Sequence, residues 1–219
     1  MSNHNTVLCI AAHSNTLTHM QRYCFNENFL KNRNKFDLCI VFNEVDDQTY
    51  EYVKTFDPEY LFVKKNFGLD QSAFDFAINH TKNYENYFLL HYDHWFIDAN
   101  WFDRLTQEIN TTGVDVLGNL VRPATAELPN GFNFVSTAFG LENLIPQRFD
   151  CFLQGGAGLY KNRAIEVLKS MGGIPYGRSN NRDIAFICER LQSFLLLDGG
   201  CSLGQIEPGY ELYLKHANF

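Results

Sequence analysis

The chain has 219 residues, 45% of them hydrophobic, and a formal net charge of −7 at pH 7. That apolar share excludes global disorder, and the length suits one α/β domain or one domain with a modest appendage. The basic residues form no long cluster on this acidic chain, which argues against nucleic acid as a partner and leaves room only for a local basic pocket that takes phosphate.

Val7 to Ala12 is a short continuous apolar run, as expected of a strand buried on both faces, and it ends in the polar loop His13-Ser14-Asn15. Thr16 to Leu30 reads as a helix. Asp37 to Phe42 is a second apolar strand, ending in Asn43-Glu44-Val45-Asp46-Asp47. Gln48 to Thr55 is a short helix and Tyr60 to Val63 a third strand. A turn at Asn66-Phe67-Gly68 precedes a helix over Gln71 to Lys82, and Tyr87 to Leu90 is a fourth strand running into His91-Tyr92-Asp93-His94. Strand and helix alternate, with polar clusters at the strand C-termini. This pattern predicts a mainly parallel sheet covered by helices, with a ligand at the C-terminal strand ends.

The second half is less regular. Trp101 to Asn110 reads as a helix, Val114 to Leu120 as a strand, and Arg122 to Phe134 as a Pro/Gly/Asn-rich loop. Cys151-Phe152-Leu153 leads into the glycine-rich Gln154 to Tyr160. A helix over Ala164 to Lys169, a Gly-rich stretch to Gly177, and a helix over Asp183 to Phe194 follow, and the tail carries Leu214-Lys215-His216. Nothing marks a clean domain boundary, so one domain over 1–219 is expected.

No apolar run approaches the roughly 20 residues that cross a bilayer, and the apolar stretch after the polar Met1 to Thr6 is too short for a signal peptide. A cytoplasmic protein without a transmembrane segment is expected. The six cysteines agree: they show no Cys-x-x-Cys spacing and no Cys/His zinc pattern. Aromatic residues make up 15% of the chain, with 20 Phe and 11 Tyr; most fill the core, and a minority are available to stack on the apolar face of a sugar ring.

The strongest local signal is the stretch from Phe88 to His94. A buried strand that delivers one carboxylate and two imidazoles into a single turn suits a divalent cation bridging phosphate oxygens. The plainer alternative is that Asp93 caps a turn or the next helix. For Gly155 to Gly158, close approach of backbone to a ligand competes with a tight strand-to-helix turn. For Asp183, a general base competes with a carboxylate that simply favours a helix N-terminus. For His216, a metal ligand competes with an exposed tail histidine.

Together, Asn66-x-Gly68, Ala73 to Ala77 and Tyr87 to Asp98 resemble the inverting GT-A glycosyltransferases, in which a glycine turn and helix precede a strand ending in Asp-x-Asp. His91 stands at the first Asp position and Asp93 matches the second. The resemblance implies the Rossmann-like GT-A fold and a small family-2-like member, with a donor half at 1–99 and an acceptor half at 100–219. It implies that Asp93 holds Mn or Mg, with His216 as a further ligand and Lys215 near the diphosphate. Around a UDP- or GDP-sugar donor it places Ala12, His13, Asn43, Glu44, Lys65, Asp75, His91 and Tyr92. Gly155 and Gly156 correspond to the acceptor-side glycine segment. Asp183 matches the Asp of an acidic pair that acts as general base, with Arg182 in place of the usual Glu on the acceptor side.

The reaction implied is transfer of the sugar to a hydroxyl of a glycan or other acceptor, with inversion. A non-catalytic carbohydrate- or nucleotide-binding module is the alternative, motivated by the missing first Asp. Nucleotidyl transfer is a further enzyme class, but Ala-Ala-His-Ser-Asn stands after the first strand in place of its Gly-rich basic loop.

Overall fold

The computed structural model describes residues 4–118, 121–123, 151–177, 181–206 and 214–216, the backbone alone at 122–123 and 214–216. Seven strands form the main sheet in the order β10-β6-β9-β4-β1-β2-β3. The strands β1 (Thr6–His13), β2 (Asp37–Asn43), β3 (Tyr60–Lys64) and β4 (Asn86–His91) run parallel to one another. The second half adds β6 (Val116–Gly118) and β10 (Leu203–Gln205), which pair in parallel. Between β4 and β6 lies β9 (Gly158–Lys161), antiparallel to both. The α/β class and mainly parallel sheet expected from the alternation are present.

β1 and β2 are buried almost throughout, which is why they read as uninterrupted apolar runs. Their side chains alternate between two cores. Val7, Cys9 and Ala11 face α4 (Leu69–His80), α6 (Asn162–Ser170) and α7 (Arg182–Asp198). Leu8, Ile10 and Ala12 face the other layer, with Met20, Phe29, Trp101 and Leu105. That layer contains α1 (Leu17–His19), α2 (Glu27–Asn32) and α5 (Trp101–Thr112); α3 (Asp47–Lys54) follows β2.

Several boundaries differ from expectation, each for a local reason. The helix expected over Thr16 to Leu30 is interrupted. A π-helical turn covers Met20–Cys24, and Asn26 then restarts the chain by accepting hydrogen bonds from the N–H groups of Asn28 and Phe29. Leu159 and Tyr160, read as part of a glycine turn, lie in β9, buried between two partners. Strand β7 (Val121–Pro123) takes the first residues of the expected loop and pairs with β8 (Cys151–Leu153). The remainder of that loop, and Asn119–Leu120 of the expected strand, lie outside the described residues. Beyond Asp93, β5 (His94–Phe96) pairs antiparallel with β11 (Leu214–His216), so the tail returns to the β4 end with His216 opposite His94.

Candidate functional site

The C-terminal ends of β1, β2, β3 and β4 meet along one edge of the sheet, and the polar clusters lie there. Asp93, in the turn between β4 and β5, is 6% exposed, a depth at which a carboxylate needs polar company. The Nδ1 of the buried His94 lies 3.7 Å from Asp93 Oδ1 and also approaches the His91 backbone.

His91 is the crosspiece of the site. Its Nε2 lies 2.9 Å from the Gly155 carbonyl, and because a carbonyl only accepts, that nitrogen carries the proton. Its Nδ1 lies 3.3 Å from Asp70 Oδ2. Burial alone would lower the His91 pKa, but Asp70, Asp93, the Gly155 carbonyl and Glu189 outweigh it and hold the imidazole above its usual range.

The glycine turn Gln154–Gly156 is pinned to α7. Gly155 donates its N–H to Glu189 Oε2 at 3.0 Å, and Leu153 donates to Ser193 Oγ at 2.9 Å. The Tyr160 hydroxyl donates to the Gly156 carbonyl at 2.6 Å and accepts from Gln192 Nε2 at 2.9 Å. Gly155 and Gly156 have φ of 70° and 64°, a region where a side chain is strained, and a Cβ on Gly155 would stand 3.2 Å from His91 Cε1. The 189, 192 and 193 positions form one buried polar stripe on an otherwise apolar helix face. Burial raises the Glu189 carboxyl above the ordinary range despite the Gly155 N–H and the charges of His91 and Arg190.

The remaining expected residues divide into groups. Ala12 is fully buried, so only its backbone borders the edge. The exposed His13 packs edge-on against Tyr92 at 5.0 Å. Burial, then Asp93 and Asp70, push the Tyr92 hydroxyl up to about 12, while Arg182 pulls the other way. The helix α7 opens with the exposed Arg182 and Asp183. Asn181 caps α7 by accepting from the Asp183 N–H, while Asn180 lies outside the described residues. Glu44 is exposed at φ 64°. Asn43 is buried, donating to the Leu69 carbonyl and accepting from Lys64 Nζ.

The Asp75 Oδ1 accepts from the Ile174 N–H at 2.8 Å and from Asn79, tying α4 to the turn after α6. The carboxylate that α4 presents to His91 is Asp70, in its first turn. Lys65 is exposed, and the cation directed into the sheet edge is Lys64, whose Nζ reaches Asn43 and Ser72; burial lowers its pKa. The sequence pattern does not single out Asp70 and Glu189, because each lies on a helix whose apolar spacing reads as ordinary packing. Among the described residues, no cluster of three or more His, Cys, Asp or Glu is arranged to hold a metal ion.

This architecture, a mainly parallel sheet with one antiparallel strand beside β4, is a GT-A-like fold, as the solved structures that match it show. The chain superposes on TarS of S. aureus with a TM-score of 0.61 at 11% identity, over 95% of this chain and 59% of that one. A mannosyltransferase of Pyrobaculum calidifontis, solved with GDP-Man and Mn2+, gives 0.60 at 13% identity, over 92% and 55%. Glucosyl-3-phosphoglycerate synthase of Mycobacterium tuberculosis gives 0.54 at 12% identity, over 98% and 73%. The chain thus spans less than two thirds of the first two structures. No protein-family model and no curated protein sequence matches it.

Proposed function

We propose that this protein is a glycosyltransferase that moves a sugar from a nucleoside-diphosphate sugar to an acceptor hydroxyl. The observation that carries this reading is the convergence of Asp93, the His91–Asp70 pair and the Gly155 turn held by α7 at the C-terminal edge of a GT-A sheet, where such sheets bind ligands. TarS has also been solved with UDP-GlcNAc, and the mannosyltransferase with GDP-Man, which supports a UDP- or GDP-linked donor. No helix among the described residues is long and apolar enough to cross a membrane. The six free thiols support a reducing compartment, and we assign the protein to the cytoplasm. One transferase unit over 1–219, with donor residues before 99 and acceptor residues after it, is part of the same reading.

The donor set suits Mg or Mn. Asp93 would hold it through a hard carboxylate oxygen, with His216, which pairs with His94 on the adjoining strand, as the further ligand. Such an ion would neutralise charge on the departing diphosphate. The protein's own residues do the rest. The backbone at Ala12, with His13, Tyr92 and Glu44, borders the nucleotide, and Asp70 orients His91. The pinned Gly155–Gly156 turn and Arg182 bound the acceptor. Asp183 takes the proton from the acceptor hydroxyl as its oxygen attacks the anomeric carbon, inverting the configuration.

Thermal shift with UDP, GDP and their sugar conjugates, with and without Mn, tests the reading. Metal-dependent stabilisation by one nucleotide, lost in Asp93→Ala, is the expected result, with release of that nucleoside diphosphate on adding acceptor. Binding without any release would favour the second reading, a non-catalytic binding module. That reading is motivated by His91, which replaces a carboxylate and whose imidazole nitrogens face Asp70 and Gly155. No nucleotide response in folded protein would overturn the transferase reading and favour a non-catalytic carbohydrate-binding module.

A further inference from the structure

A line of rings leaves the site along the protein surface. Tyr92, beside Asp93, meets His19 edge-on at 6.1 Å; His19 stacks on Tyr23 at 6.1 Å; and Tyr23 lies 5.7 Å from Trp95. The Arg22 guanidinium covers Tyr23 at 5.2 Å. Arg22 is exposed, and Trp95 is 40% exposed, unusual for the largest apolar side chain.

This line is built into the fold. Arg22 and Tyr23 belong to the π-helical turn Met20–Cys24, a rare conformation that tends to mark functional positions. The side chains of Asn26 and Asn28 donate to the Phe96 carbonyl at 2.8 and 3.1 Å, and Asn28 also donates to Ile97 at 2.7 Å. These bonds clamp the strand that carries Trp95 against the helical turn that carries Tyr23. None of them is needed to bury Trp95, which stays in solvent.

We propose that His19, Arg22, Tyr23 and Trp95 form a subsite for the sugar units of a glycan acceptor beyond the one being modified. The proposal rests on the glycosyl-transfer reading. An aromatic platform offers its face to the apolar face of a pyranose, while the neighbouring Tyr hydroxyl, imidazole and guanidinium supply hydrogen bonds to ring hydroxyls. The line is continuous with the candidate site through Tyr92. Its far end, Trp95, lies on β5, beyond the turn that carries Asp93. The chain's net charge of −7 favours a neutral chain over a polyanion.

The chain has two tryptophans, and Trp101 is fully buried, so acrylamide quenching of tryptophan fluorescence reports on Trp95. Quenching is measured with chitohexaose, mannohexaose and maltohexaose, and separately with UDP and GDP. At least one hexasaccharide should shield Trp95, and Tyr23→Ala should weaken that binding by about tenfold, the scale of one lost ring contact. Thermal shift by nucleotide should be unchanged in Tyr23→Ala and in Trp95→Ala, which also shows that both variants fold. Shielding by none of the three overturns the proposal. Shielding by UDP or GDP alone overturns it too and assigns the rings to the donor base. If shielding by a hexasaccharide persists while every nucleotide fails to bind, the subsite stands and the transferase reading falls.

Discussion

Glu189 shows how a single buried side chain organises the site. Its carboxylate receives the Gly155 N–H, whose own carbonyl receives His91. Replacing it with leucine leaves that N–H unpaired, at a cost of about 1–3 kcal/mol, and loosens the turn. Urea denaturation should register the loss, and Glu189→Gln, which keeps an acceptor, should recover most of it. The same variant carries a pH signature. Because burial raises the Glu189 carboxyl, the native state keeps its proton at a pH where the unfolded chain has released it, so this residue's contribution to stability falls as pH rises from its ordinary 4.5 toward the raised value. The advantage of Glu189→Gln over the parent should therefore grow across that window. Parallel profiles would show that the carboxylate is not strained by burial. The strand-end residues were legible because His91, Tyr92 and Asp93 break an apolar run. Asp70 and Glu189 were not, since each sits on a helix whose pattern reads as ordinary packing, and only the fold aims them at His91.

Among the elements, β9 has the least tolerance. Gly158 lies between β4 and β6, and a Cβ there would stand 2.6 Å from the Leu117 carbonyl oxygen, with backbone rather than a movable side chain in the way. Gly158→Ala should lower stability by about 1–3 kcal/mol, the usual penalty for overfilling a packed interior, read as a shift in the urea midpoint. At α3 the effect is electrostatic. Asp46 accepts from the Thr49 hydroxyl and N–H and from Asn15, which lowers its pKa from 3.8 to about 2. Its contribution is present above 3.8 and lost as pH falls toward 2, so Asp46→Asn, itself a good cap, should flatten the acid limb of the stability profile. The parallel strands were readable from apolar runs with polar ends. β9 was hidden because Gly158 at its start follows Gly155 and Gly156 and reads with them as a turn, and the break at Met20 was hidden because a π turn keeps the helical spacing of buried residues.

The whole sheet draws on both halves of the chain: β1 to β4 come first in sequence, and β9, β6 and β10 complete it. A fragment ending at residue 99 would expose the β4 edge and the apolar face that α6 and α7 cover, so it should show no cooperative thermal transition by circular dichroism. A sharp transition in that fragment would mean that the parallel half folds alone. The antiparallel insertion and the returning tail depend on pairings between residues far apart in sequence, which no local pattern reveals. The His91 bridge spans the same two halves, joining Asp70 on α4 to a turn held by α7. Under the proposed transferase reading, donor and acceptor sit on its two sides: whatever factor a nucleotide sugar contributes to acceptor affinity, the acceptor must return to the nucleotide sugar, and His91→Ala should bring both factors toward one in calorimetric titrations.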